Sequence, residues 1–290
     1  MSFSRRIAFA LATSDSWERM VRAVPGGSDA AWRLASRYVA GAALEDALAC
    51  AERLAADGLA CSVDIFGEHV TDPAEADQVT DTYVALAGEL ARFPAGTFLA
   101  IDLSHIGLGE SVDATERRLQ RIVEALPAGC RLQVGAEEER HTDLIIAAVL
   151  SARRRGGDVS ATLQANLKRS VRDARTLAEA GVPVRLVKGA YVENSSAALP
   201  WGDRTDLAFM ELAHDLRRGG AELVLATHDP VLREALLRAL PDIGVEMLLG
   251  VREDDARELA TRGVQVRIYV PYGDDWFRYS MRRFAESLGA

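Results

Sequence analysis

Near its C-terminus the chain sets Tyr279, Arg282, Arg283 and Glu286 at i, i+3, i+4 and i+7. On a helix these four side chains share one face. Two adjacent guanidiniums with a carboxylate one turn on make a rigid fork for an anion, and the tyrosine adds an aromatic wall. A solvated helix also carries such charges for solubility alone. This one, however, follows directly on an apolar alternating run that breaks at Pro271 and Gly273, which puts the charged face at the exit of a strand.

Two further stretches bring charge into apolar surroundings. Val184 to Tyr191 places Arg185 and Lys188 in an apolar strand and its exit, with Gly189 and Ala190 following. Burying a cation is costly unless it meets an anion or hydrogen-bond acceptors. The segment is therefore either half of a structural ion pair or an electropositive floor for a phosphate-bearing or electron-accepting cofactor. Ala226-Thr-His-Asp229 lies where another strand passes into a helix, and there Thr227, His228 and the helix N-terminus could hold a pyrophosphate. A lone histidine at a strand end is as readily a structural group. With no G-x-S-x-G elbow, the stretch gives no support to hydrolase chemistry, and the chain has neither a Walker loop nor a G-x-G-x-x-G after a strand. Glu137, Glu138, Glu139 and His141 crowd together and, with Asp102, could ligate a divalent cation; acids opening a helix more often face its dipole, and no metal is expected.

The elements that must position these groups alternate regularly. Eight short apolar runs read as strands: Leu59 to Ile65, Thr97 to Leu103, Arg131 to Val134, Val159 to Gln164, Val182 to Val187, Glu222 to Thr227, Gly244 to Leu249 and Val264 to Val270. Between and after them lie segments of helical period: Pro73 to Arg92, Asp113 to Ala125, Asp143 to Arg155, Ser170 to Ala180, Thr205 to Arg218, Pro230 to Leu240, Asp254 to Arg262 and Asp275 to Leu288. Strands of near-continuous apolar character in tandem βα units predict an α/β fold, a (β/α)8 barrel of the triosephosphate-isomerase type, with a doubly wound open sheet as the alternative. Residues 1–57 are expected to form an N-terminal helical arm and residues 58–290 the barrel, together one domain. In such a barrel the chemistry gathers where strands end, and polar side chains stand at nearly every predicted strand end.

Composition narrows the chemistry. The 290 residues carry a formal net charge of −9, which excludes the basic footprint that nucleic acid or an anionic membrane surface requires and favours a small substrate. Any membrane contact is expected to be peripheral, since no stretch approaches a spanning length. Three widely spaced cysteines, Cys50, Cys61 and Cys130, read as buried thiols of a reducing compartment, and the acidic residues after the short apolar start favour a cytoplasmic protein.

The combination of Val184 to Tyr191, Ala226 to Asp229, Tyr269-Val-Pro-Tyr-Gly-x-x-Trp276 and Tyr279-x-x-Arg282-Arg283-x-x-Glu286 resembles the proline dehydrogenase family, in its short bacterial monofunctional form. Asp64 to Glu68, Gln164 with its flanking residues, Lys168-Arg169 and Met247 to Gly250 are weaker matches in the same order. The resemblance implies a distorted barrel that holds FAD at the strand ends beneath the last helix. It implies that Arg282 and Arg283 bind the substrate carboxylate, while Tyr269, Tyr279, Leu186, Tyr191 and Leu248 wall the substrate ring. Arg185 would lie by the flavin N5, and Gln164, Val187, Lys188, Gly189, Ala190, Thr227, His228, Glu246 and Glu286 would hold or support FAD. Hydride would pass from the ring carbon beside the amine to the flavin, giving 1-pyrroline-5-carboxylate, and a quinone or oxygen would take the electrons onward.

Four positions depart from the family pattern. Asp102 stands where the family has a lysine that meets the substrate carboxylate, and Gly135 where it has an aspartate; Asn166 replaces a tyrosine and Glu246 a glutamine. An anion at Asp102 would repel a carboxylate and attract an amine or hydroxyl. Three readings are therefore carried forward: L-proline oxidation, flavin-dependent oxidation of another cyclic or N-substituted amino acid, and a family member that keeps the fold without turnover.

Overall fold

A computed structural model describes residues 32–33, 35–274, 276–277 and 279–280. Eight parallel strands close into a barrel in chain order: β1 (Ala60–Ile65), β2 (Phe98–Ile101), β3 (Leu132–Val134), β4 (Val159–Gln164), β5 (Val184–Val187), β6 (Leu223–Ala226), β7 (Gly244–Leu248) and β8 (Val266–Tyr272). This rules out the open sheet. The helices are α1 (Leu44–Ala56), α2 (Pro73–Glu89), α3 (Val112–Ala125), α4 (Thr142–Arg154), α5 (Ser170–Glu179), α6 (Asp203–Arg218), α7 (Pro230–Ala239) and α8 (Glu253–Thr261). Local chemistry sets their starts: Asp72 caps α2 ahead of Pro73, Ser111 caps α3, and Asp229 caps α7 ahead of Pro230.

The ring of helices departs from the regular pattern at the seam. β1 pairs with β8 over six residues, from Ala60↔Arg267 to Ile65↔Tyr272. Outside that seam lies α1, whose Ala47, Cys50, Ala51 and Leu54 are buried in the main core. α1 thus joins the outer ring, while the described residues after β8 pack elsewhere. Trp276, Phe277, Tyr279 and Ser280 are helical. Tyr279 packs with Tyr38 and Val39 in a second, smaller core that also touches Phe66, Tyr269 and Trp276. Two backbone hydrogen bonds, Ala40 N to Pro271 O at 2.9 Å and Gly273 N to Gly41 O at 3.0 Å, tie the entry of α1 to the end of β8.

The barrel interior is not wholly apolar. Side chains on a strand alternate between the axis and the helices, and the axial set includes Gln133, Arg185, Glu246 and Arg267. Glu246 accepts from Gln133 Nε2 at 2.9 and 2.8 Å and from Arg185 Nε at 2.5 Å, with Arg267 Nε 3.7 Å away. A carboxylate buried this deeply is tolerable because Gln133 and Arg185 donate to it and a second guanidinium, Arg267, stands close by.

Candidate active site

The inward register of β5 determines what that strand offers. Because Arg185 points to the axis, its neighbour Leu186 must point to the helices, and it is fully buried in the core. Leu186, expected to wall the substrate ring, thus lies on the opposite phase of the strand from Arg185; two residues on from Arg185, the half-buried Val187 shares its phase. By the same alternation Leu248 and Tyr269 share the phase of Glu246 and Arg267, each lying two residues beyond one of them. Glu246 itself accepts from Arg185 and orients it.

Lys188, at the exit of β5, is bridged by two carboxylates. Its Nζ lies 2.6 Å from Asp206 of α6 and 2.9 Å from Asp229 at the cap of α7. Burial presses its pKa down, but hydrogen bonds to Asp206 and Asp229 outweigh this and hold it above the usual lysine value. Asp206 was not expected; an acid in the first turn of a helix reads in sequence as a dipole partner. Asp229 spans both tasks, accepting from Val231 N and Leu232 N as well as from Lys188.

At the ends of β6 and β7 the His228 ring accepts from Leu248 N through Nε2 at 3.0 Å, so His228 fixes the backbone that presents Leu248. Thr227 Oγ1 accepts from Asp229 N at 3.1 Å. Gln164, buried at the end of β4, donates to Glu137 O at 2.8 Å. Beside it the Asn166 side chain packs where a Cβ on Gly189 would fall, and Gly189 has a φ of +112°, so the close approach and the backbone both require glycine. Among the described residues, Asn166 Oδ1 is buried with no hydrogen-bond partner. A buried acceptor left open next to a glycine and near two cations suits a ligand that brings both donors and negative charge. Ala190 and the half-buried Tyr191 continue the same exit.

On the opposite side, β1 and β2 contribute acids. Asp64 is buried and accepts from the Tyr269 hydroxyl at 2.8 Å and the Tyr83 hydroxyl at 3.2 Å. Asp102 lies close enough to both phenols to raise their pKa. Tyr269 also meets Tyr279, with ring centroids 6.1 Å apart, and Tyr279 meets Phe66 at 5.1 Å. Tyr279 thus joins Tyr269 and Phe66 in one aromatic cluster, whereas Arg282, Arg283 and Glu286 lie outside the described residues.

The acidic run after β3 is engaged within the protein. Glu137 Oε1 accepts from Ser104 N at 3.0 Å, pinning the end of β2, and Glu138 faces His69 at 3.7 Å and His141 at 3.6 Å. One ligand atom each of His69, Glu137 and Glu138 lies within 4.8 Å of the others; Asp102 does not belong to that group. Among the described residues no helix is long and apolar enough to cross a membrane.

The mouth therefore combines a basic side at Arg185 and Lys188, an acidic side at Asp64 and Asp102, and aromatic rings at Tyr269 and Tyr279. A family model described as proline dehydrogenase matches residues 47–289. Proline dehydrogenase 1 of Bacillus subtilis is 30% identical over 260 residues, covering 87% of this chain and 86% of that protein. Proline dehydrogenase of Deinococcus radiodurans is 29% identical over 269 residues, 88% and 87% of the two chains. Among solved structures, proline utilization A from Bdellovibrio bacteriovorus, inactivated by N-propargylglycine, superposes with a TM-score of 0.82 at 18% identity. That alignment covers 98% of this chain and 36% of the longer protein, and it bears on the fold alone.

Proposed function

The chain belongs to the proline dehydrogenase family, whose members are oxidoreductases acting on a CH–NH group, and on that premise we propose that it oxidises L-proline to 1-pyrroline-5-carboxylate with FAD as its cofactor. The observation that carries the cofactor reading is the exit of β5, where Arg185, Lys188 and the close Gly189–Asn166 contact leave a buried acceptor at Asn166 Oδ1. Those residues fit a ligand that is both anionic and rich in hydroxyl and N–H donors. FAD, when bound, supplies the acceptor for the hydride. The protein supplies the rest: Lys188 offers charge for a phosphate-bearing group, Glu246 holds Arg185 in place, and His228 keeps Leu248 at the wall. Tyr269 and Tyr279 exclude water from the substrate ring, and Arg282 and Arg283 bind the substrate carboxylate. A quinone or oxygen accepts the electrons afterwards, and an acidic protein of this kind is expected in the cytoplasm.

A second reading is favoured by one relationship, the Asp102 carboxylate standing where a Cβ on Gly135 would be. An anion on that wall suits a cyclic or N-substituted amino acid carrying an added amine or hydroxyl. One experiment separates the two. The purified protein is expected to show flavin absorbance that L-proline bleaches without oxygen. Bleaching by another amino acid and not by high L-proline would transfer the assignment to the second reading, and no flavin absorbance even after adding FAD would overturn both.

A further inference from the structure

Asp64 is a group the reading above does not use. Its carboxylate is buried at the end of β1, and no described residue gives it an ion pair. Both side-chain hydrogen bonds it accepts come from phenols, one from the mouth at Tyr269 and one from behind at Tyr83. The Tyr83 hydroxyl also lies 3.2 Å from His105 Nδ1, and the His105 ring fills the space that Gly67 leaves without a Cβ. Burial pushes the Asp64 carboxyl up to about 6, against the two phenols, a backbone donor and the more distant Arg185, which pull it down. His105 is brought down to about 4 by burial and stays neutral. The other groups facing this carboxylate are Asp102 after β2, felt by both phenols, and Tyr272 of β8, felt by Tyr83, while Tyr279 acts on Tyr269. Arg185 is itself held by Glu246 and does not close on Asp64.

We propose that Asp64, reached through the Tyr269 hydroxyl, takes the proton that the substrate amine must lose before its neighbouring carbon can give up hydride. This rests on the family reading, because an amine dehydrogenase receives its substrate as an ammonium, whose nitrogen has no lone pair to form the imine. As the substrate N–H bond breaks, its proton goes to Tyr269 Oη and the Tyr269 hydroxyl proton goes to Asp64 Oδ2. Tyr269 ends as it began, Asp64 gains one O–H bond, and the amine keeps the electron pair. No electrons leave the pair of molecules in this step. Tyr83 and His105 serve as positioning residues that stabilise the ionised carboxylate between turnovers.

The test follows flavin bleaching by substrate, without oxygen and across pH, in wild type, Asp64→Asn, Tyr269→Phe and Tyr83→Phe proteins of equal flavin content. The wild-type rate is expected to fall as pH drops through about 6. Asp64→Asn and Tyr269→Phe should both be slower by about 10- to 100-fold and should lose that acid limb. Tyr83→Phe removes a donor to the carboxylate and should move the limb to higher pH; this variant carries the test where Asp64→Asn fails to fold. An unchanged limb with a rate within about twofold in Asp64→Asn, or an unmoved limb in Tyr83→Phe, overturns the proposal. If L-proline does not bleach wild type, the proline reading fails by itself; the same four proteins are then compared with the amino acid that does bleach it, and absence of any such amino acid overturns the relay as well.

Discussion

The Asp102 carboxylate occupies the space that a Cβ on Gly135 would fill, so the two positions are sterically coupled across the ends of β2 and β3. A side chain at position 135 cannot be added without displacing Asp102. Gly135→Asp by itself should therefore push two carboxylates together and lower stability by about 1–3 kcal/mol, read as the denaturant midpoint. Adding Asp102→Lys should recover most of that loss, because lysine and aspartate at these positions attract. Simple additivity of the two changes would show that the positions are independent. Under the proposed function the double variant should also turn over L-proline faster than wild type.

Glu246 is the hub of the axial layer, with Gln133, Arg185 and Arg267 directed at it. Glu246→Ala would leave two part-buried guanidiniums and the Gln133 amide without their anion. A loss of about 3–5 kcal/mol is expected by urea denaturation. Glu246→Gln should cost less but should still loosen Arg185, seen as a lower ratio of flavin to protein absorbance after purification.

Asp64 links pH to stability with a definite sign. Its carboxyl titrates at about 6 in the fold, above its ordinary value of 3.8, because burial disfavours the charge. The fold therefore binds that proton more tightly than the unfolded chain, and the group's favourable contribution is present below pH 3.8 and lost as pH rises through about 6. Asp64→Asn should stabilise the protein by about 1–3 kcal/mol at neutral pH and by almost nothing at the acid end. Thermal melts across this range check it, and a larger gain at low pH than at high pH would contradict the assigned shift.

Lys188 has two anionic partners before any ligand arrives. Lys188→Met should change stability by no more than about 1 kcal/mol, since the bridge is partly exposed to water. The same change should weaken FAD binding by about 10- to 100-fold in an equilibrium titration of the flavin-free protein. Equal effects on both would make the lysine purely structural.

The carboxylate fork gives a kinetic prediction. Arg282→Met or Arg283→Met should raise the apparent KM for the amino-acid substrate by about 100-fold or more while the flavin content holds. Parallel loss of flavin and substrate binding would contradict the role assigned to the fork.

The barrel was legible because parallel strands buried on both faces read as short apolar runs, and the eight expected runs correspond to β1 through β8. That same continuity hid which face each residue takes. In Val184–Val187 three of the four residues are apolar, so nothing local tells the phase of Leu186 from that of Val187; it follows from Arg185, whose partner Glu246 lies two strands away on β7. Asp206, Gln133 and Tyr83 were missed for a related reason. Each reads locally as an ordinary helix or strand residue and gains its meaning from a partner far away in sequence, as with Tyr83 and Asp64 across α2 and β1.

The seam between β1 and β8 also bears on the order in which the chain becomes competent. Tyr269 and Asp64 lie 205 residues apart in sequence, and the Ala40–Pro271 and Gly273–Gly41 bonds join segments still farther apart. None of these can form on a ribosome-bound chain until β8 has emerged, so the two walls of the mouth meet only once the whole barrel has been made. A chain stopped short of β8 can fold several βα units, but it cannot bring Asp64 and Tyr269 together.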